Sequence, residues 1–267
     1  GMKQAMASPT AHLWREAIAK EKSKLESTKT WRDLTKEEIS ANKKVIPIAL
    51  LLTEKRDGTH KCRAVVLGNQ CEKVDGIEHF APVVSWVALR GMLTTAAREM
   101  DYIRVFDLDN AFLNAEVGPN DPPVYVSLPT AWRYDEEKPV KRLLRALYGL
   151  PQSPKLWYKT YAKGLIDLGW EVSPFEPGVW RKHSKSNNSW LKLVVYVDDN
   201  VITGPDPKEV DDAMNAILAL FSGREIKPTI ENGWACWDIL GTSLRYNRNL
   251  ATYRLSMGEY ITSILKK

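Results

Sequence analysis

Asp198 and Asp199 are adjacent carboxylates held between two apolar runs, Leu191 to Val197 and Val201 to Thr203. Like charges that close together repel, and even partial burial costs several kcal/mol unless something neutralises them. Asp107 has similar surroundings, at the end of a run that includes Val105, Phe106 and Leu108. If the two run ends lie side by side, three carboxylates from two segments converge. That is the oxygen-rich ligand set that a pair of Mg²⁺ ions requires, with room left for water and substrate phosphates. Two plainer readings stand beside it. Asp-Asp-Asn suits a hairpin turn on turn chemistry alone, and Asp107 or Asp109 could cap a following helix.

The elements that must position these acids can be read from periodicity. Alternating apolar positions predict a strand over Tyr102 to Leu108, with a short helix following at Ala111. Leu191 to Val197 and its return as Val201 to Thr203 predict a hairpin with the two acids at its tip. Ser85 to Met100 reads as a buried helix through Leu89, Met92, Leu93, Ala96 and Ala97. Further upstream, Val45 to Leu52 and Arg63 to Leu67 flank the turn-forming pair Asp57-Gly58. That hairpin carries Lys55, Arg56, Lys61 and Arg63 near its tip. The segment 138–166 holds seven Lys and Arg and no Asp or Glu, interleaved with Tyr148, Trp157, Tyr158 and Tyr161. It suits a nucleic-acid backbone, and equally a solvated amphipathic helix. The N-terminal 1–29 reads as one helix, capped by Ser8 or Thr10, with Leu13, Trp14, Ala17, Ile18 and Leu25 on its inner face.

Composition narrows the class. Of 267 residues, 44% are hydrophobic and 27% charged, which excludes collagen-like and disordered chains. The longest apolar run, near Val45 to Leu52, is less than half of the ~18 residues that suggest a membrane helix, so no membrane partner is expected. Three cysteines without a C-x-x-C pair support neither a disulfide framework nor structural zinc. Cys62 reads as inert, the scattered histidines form no ligand spacing, and a reducing, intracellular compartment is expected. The N-terminus lacks a secretory signal, and the Gly before Met2 suggests part of a longer chain. A net charge of +5 permits a nucleic-acid partner without requiring one. No internal repeat is visible, and the chain reads as one mixed α/β unit with room for subdomains.

Tyr196-Val197-Asp198-Asp199 resembles the Y-x-D-D signature of reverse transcriptases. Phe106-Asp107-Leu108-Asp109-Asn110-Ala111-Phe112-Leu113-Asn114 resembles their first catalytic-aspartate motif in its Ty1/copia retrotransposon form. The order continues through Trp31, Lys61-Cys62-Arg63-Ala64-Val65-Val66, Phe80-Ala81-Pro82-Val83-Val84 and Leu147-Tyr148-Gly149-Leu150-Pro151-Gln152-Ser153-Pro154 with Trp157-Tyr158. It ends with Leu240-Gly241 and Leu255-Ser256 before Tyr260-Ile261. Three positions depart from the common pattern: Ala115 replaces a Gly, Pro151 replaces a Lys, and polar Asn200 follows the acids where apolar residues are frequent.

The resemblance implies an α+β right-hand polymerase that makes DNA from dNTPs on a primer paired to an RNA or DNA template. It implies a lead-in over 1–44, fingers over 45–90 and 119–152, and a palm over 91–118 and 153–242. Over 243–267 a thumb only begins, with a ribonuclease H domain expected beyond. Asp107, Asp198 and Asp199 would be catalytic, holding two Mg²⁺ or Mn²⁺ ions with Leu108 as a further ligand position. Lys55, Arg56 and Arg63 would meet the triphosphate, Asn110 and Ala111 would cradle it, Gln152 would sit over the nucleotide, and Phe112 would gate the sugar. Tyr196, Lys155, Trp157, Lys159, Leu240 and Gly241 would contact nucleic acid. A cytoplasmic or nuclear retrotransposon particle is the implied setting. The alternative is a catalytically silent, element-derived domain that binds nucleic acid or protein.

Overall fold

A computed structural model of the chain describes residues 1–40, 43–55, 57–71, 81–133, 137–186 and 188–265. The chain divides into two compact units, Gly1–Phe80 with Phe112–Trp157, and Ala81–Ala111 with Tyr158–Lys267. The breaks at 80/81, 111/112 and 157/158 fall near the expected boundaries at 90/91, 118/119 and 152/153 without coinciding with them.

The first unit is built on a five-stranded sheet. Its strands run in the order Trp31–Asp33, Val140–Leu143, Tyr125–Ser127, Val45–Glu54 and His60–Val66. The expected hairpin is present, pairing Ile48 with Val66 through to Glu54 with His60. Period-two alternation sends Cys62, Ala64 and Val66 into the core, and Lys61, Arg63 and Val65 to the opposite face. The helix Ala11–Ser27 covers the core face with Trp14, Ile18, Glu21 and Leu25, the helical stripe expected of a one-sided contact. Buried Glu21 is satisfied there by the backbone N–H of Ala64 at 2.9 Å and by Lys24. The predicted single N-terminal helix is in fact two, Met2–Ala7 and Ala11–Ser27, because Pro9 has no N–H to continue the ladder. Thr10 stands at the second N-cap without a side-chain capping bond, while Ser8 Oγ donates to Ala5 O.

The second unit holds a six-stranded antiparallel sheet, ordered Gly223–Glu225, Tyr102–Leu108, Asp199–Gly204, Trp190–Tyr196, Val179–His183 and Glu171–Val172. On one face, Val105 and Val201 pack with Leu89, Leu93 and Ala96 of the helix Trp86–Glu99, and with Trp237, Leu244 and Tyr246. That helix starts where expected, with Ser85 Oγ accepting from Ala88 N–H, and stops at left-handed Met100. Phe106 and Asn200 project the other way, and both are fully buried. The helix Pro207–Phe221 packs against the same two strands, capped by Asp206 with Pro207 in its first turn. A four-stranded sheet follows, joining Thr229–Glu231, Trp234–Ile239, Thr242–Asn247 and Thr252–Ser256. Its turns Asn232-Gly233 and Leu240-Gly241 have positive φ at both residues, as two-residue hairpin loops favour.

Among the described residues, no helix is long and apolar enough to cross a membrane.

Candidate active site

Asp107 and Asp199 face each other across neighbouring antiparallel strands. Leu108 N–H donates to Asp198 O at 3.0 Å, so the Asp107–Asp199 pair falls at the alternate, non-hydrogen-bonded position. There Cα atoms approach most closely, to about 4.5 Å. Residues two apart share a face, so both acids lie on the side of Val105 and Val201, at the end of the apolar core. The physical consequence is a proton held unusually firmly. Burial, then repulsion from Asp198 and from Asp107, raises the Asp199 carboxyl from 3.8 to about 6.

Asp198 occupies the turn. Tyr196 pairs with Asp199, leaving Val197 and Asp198 as a two-residue loop. Val197 has φ 59, a region that a β-branched residue enters only under strain and that this turn type normally fills with Gly. The acids are therefore presented by a strained loop closing a buried hairpin. Strain of this kind persists only where the surroundings impose it.

The expected ligand set is not preassembled. Among the described residues, no group of three or more His, Cys, Asp and Glu is gathered to hold a metal ion. Arg224, opposite Asp107 on the neighbouring strand, places Nη2 3.5 Å from Asp107 Oδ2. The donor chemistry nevertheless suits a hard divalent cation: three carboxylates from adjacent strand ends, one of them raised by burial and by the others' charge. Leu108, fully buried, could contribute only its backbone carbonyl. Gly223 allows the edge strand to lie against this point, since a Cβ there would meet Asp107 O at 2.3 Å.

In the first unit, the cationic hairpin has the expected character. Arg63 and Lys55 are exposed, and Arg56 lies outside the described residues. Lys61, beside them, is pushed below its ordinary value by burial and by repulsion from Arg63, Lys55 and Lys24. Such a cluster is relieved by an anion. Tyr148, read in the sequence as one of the aromatics of segment 138–166, joins two residues to which the resemblance gave site roles. The Arg63 guanidinium lies 5.1 Å from its ring centre, and Phe112 meets that ring edge-on at 4.9 Å. Tyr148 is held in place by its carbonyl, which accepts from Val66 N–H at 2.8 Å. Gly149 permits this approach with φ 81, where a Cβ would stand 2.1 Å from Val66 O. Ser153 Oγ then closes the loop on Leu147, and Gln152 is half-buried at its end.

The other expected positions divide. Asn110 has φ 52 and leads into the 3₁₀ turn Ala111–Asn114, with Ala111 fully buried. Tyr196 is 41% exposed and available. Leu240-Gly241 forms a tight turn, with Leu240 packed on the core beside Ile239. On the helix Ser153–Asp167, Lys159 is exposed and Lys155 half-buried. Trp157 is a correction. It is only 3% exposed, on the helix's inward stripe with Tyr161 and Leu165, and it offers no ring face to a base. Cys62 is inert as expected, its thiol pushed up to about 12 by burial and by Glu21.

Residues 28–267 match the family described as reverse transcriptase (RNA-dependent DNA polymerase). The Pol polyprotein of transposon TNT 1-94 from Nicotiana tabacum is 25% identical, over 100% of this chain and 20% of its own length. That of transposon RE1 from Arabidopsis thaliana is 31% identical, over 79% of this chain and 14% of its own length. The Ty1-NL2 Gag-Pol polyprotein of Saccharomyces cerevisiae is 28% identical, over 94% and 14%. The chain thus spans about a fifth or less of these relatives. A solved foamy viral protease-reverse transcriptase in complex with double-stranded DNA shares the fold, with a TM-score of 0.52 at 16% identity, over 96% of this chain and 37% of that one. With the α+β fold, the ordered motifs and the paired carboxylates in agreement, the chain belongs to the reverse transcriptase (RNA-dependent DNA polymerase) family, in its Ty1/copia branch.

Proposed function

We infer that this chain extends a DNA primer with deoxynucleotides on a template, copying RNA into DNA. The observation that carries the reading is Asp107 facing Asp199 across adjacent strands, with Asp198 in the strained turn between strands. Asp107, Asp198 and Asp199, with the Leu108 carbonyl, would hold two Mg²⁺ or Mn²⁺ ions. Bound there, such ions supply activation of a 3′-hydroxyl and stabilisation of a leaving pyrophosphate. The chain's own part is to hold carboxylates in a partly dry site, where the unneutralised cluster is costly enough to favour cation uptake. The exposed Arg63 and Lys55, with Lys61, offer charge to a triphosphate, and Phe112 on Tyr148 offers a firm apolar wall to a sugar. In this reading the first unit corresponds to fingers with the N-terminal lead-in and the second to palm. The native chain runs within a Pol polyprotein that includes a ribonuclease H domain, in an intracellular retrotransposon particle.

Primer extension on an RNA template with Mg²⁺ or Mn²⁺, beside a gel shift on the same primer-template, tests the reading. Extension that requires both dNTP and divalent ion supports it. Binding without extension at any metal concentration would favour a silent nucleic-acid-binding domain instead.

A further inference from the structure

Asn200, immediately after the acid pair, is fully buried. A primary amide in that position is costly unless both of its ends are bonded, and here both are. Its Oδ1 accepts from Tyr161 Oη at 2.7 Å, and its Nδ2 donates to Asp198 O at 2.8 Å. Tyr161, 2% exposed on the helix Ser153–Asp167, is itself braced edge-on by Phe221 at 5.1 Å between ring centres. Asp198 O also accepts from Leu108 N–H, so both lone pairs of that carbonyl are engaged. The carbonyl belongs to the peptide that joins Asp198 to Asp199. Fixing its plane fixes the direction in which each acid leaves the backbone, next to a Val197 held at φ 59. An apolar residue at 200 would fill the same space but would leave that plane held by one bond.

We propose that Tyr161 and Asn200 are positioning residues for nucleotidyl transfer, clamping the Asp198–Asp199 peptide so that the backbone presents both carboxylates for divalent-cation uptake. The pair touches no substrate and acts through Asp198. This inference rests on the polymerase reading of the acids. Groups that orient a metal's ligands typically change affinity or activity by about 10–100-fold when lost.

The test compares Asn200→Val, Tyr161→Phe, the double variant and Asp198→Asn. Three quantities are read: melting temperature, Mn²⁺ binding by calorimetry, and single-nucleotide incorporation at saturating dNTP. Asn200→Val removes the acceptor of the buried Tyr161 hydroxyl, so its melting temperature falls. The double variant removes the hydroxyl along with its acceptor, which restores much of the stability. The clamp predicts that Mn²⁺ affinity and incorporation rate stay at least about tenfold below wild type in that stable double variant, with KM for dNTP within about twofold. If rate and Mn²⁺ affinity recover together with melting temperature, the pair is only structural and the inference is overturned. An inactive Asp198→Asn beside a fully active double variant overturns the inference alone. An active Asp198→Asn overturns the assignment of the acids and the clamp with it.

Discussion

Burial, with repulsion from Asp198 and Asp107, raises the Asp199 carboxyl from its ordinary 3.8 to about 6 in the folded chain. Between those values the folded state holds more proton than the unfolded one, so this group makes the metal-free protein less stable as pH rises from about 4 through about 6. Asp199→Asn removes that dependence. In chelator, its melting temperature should exceed that of wild type by a margin that grows over that interval and is level above it, while activity is lost. A margin independent of pH would show that the Asp199 carboxyl is not raised in the folded chain. Phe112 carries the second prediction at this scale. Phe112→Val should raise rNTP relative to dNTP incorporation at least tenfold, about 1.4 kcal/mol of discrimination, while dNTP incorporation falls modestly. Its edge contact with Tyr148 adds about 0.5–1.5 kcal/mol of stability, so a drop in unfolding free energy should accompany the change. Equal losses for both sugars would make Phe112 a packing residue only. The acids were legible in sequence because adjacent carboxylates between apolar runs need an explanation. Arg224, Tyr148 and the Tyr161–Asn200 pair were not, because each acquires its role from a partner that only the folded chain brings near.

Gly149 shows how one backbone position governs an element. With φ 81 and Val66 O 2.1 Å from where a Cβ would stand, Gly149→Ala must displace the loop that seats Tyr148 against the hairpin. The left-handed conformation alone costs an L-residue roughly 1–2 kcal/mol, and the backbone clash adds to it. The urea midpoint of the first unit should fall, with the loss centred on the cluster that includes Leu147 and Leu150. An unchanged midpoint would mean that the loop is not tied to the strand. The strand Tyr102–Leu108 and the helix Trp86–Glu99 were legible nearly to the residue, since their periodicities are clean and their ends carry caps. The separate helix Met2–Ala7 went unread because the apolar positions that defined the N-terminal helix, Leu13 to Leu25, all follow Pro9. Trp157 misled because aromatic and basic residues alternate along the same helix, and composition cannot say which face is turned inward. The four-stranded sheet was hidden for another reason: its strands are short and their exposed faces blur the alternation.

At the scale of the whole molecule, a net charge of +5 is too small to hold a duplex by itself, so local placement decides. Primer-template affinity should fall steeply with salt, and neutralising exposed Lys159 should make the slope shallower by about one unit, with Lys155 contributing a second if its half-buried ammonium reaches a phosphate. An unchanged slope would place these lysines on a solvated face. The two units have separate cores, and the carboxylates belong wholly to the second, which is why their arrangement follows from a single sheet register. That register is the heart of the functional claim, and one comparison bears on it most directly. Wild type and Asp198→Asn are given the same RNA template, DNA primer, dNTP and Mg²⁺, with primer-template affinity measured in parallel. The account predicts extension by wild type, less than a few per cent of that rate in Asp198→Asn, and affinities within a few-fold of each other. Comparable extension by both proteins would contradict it.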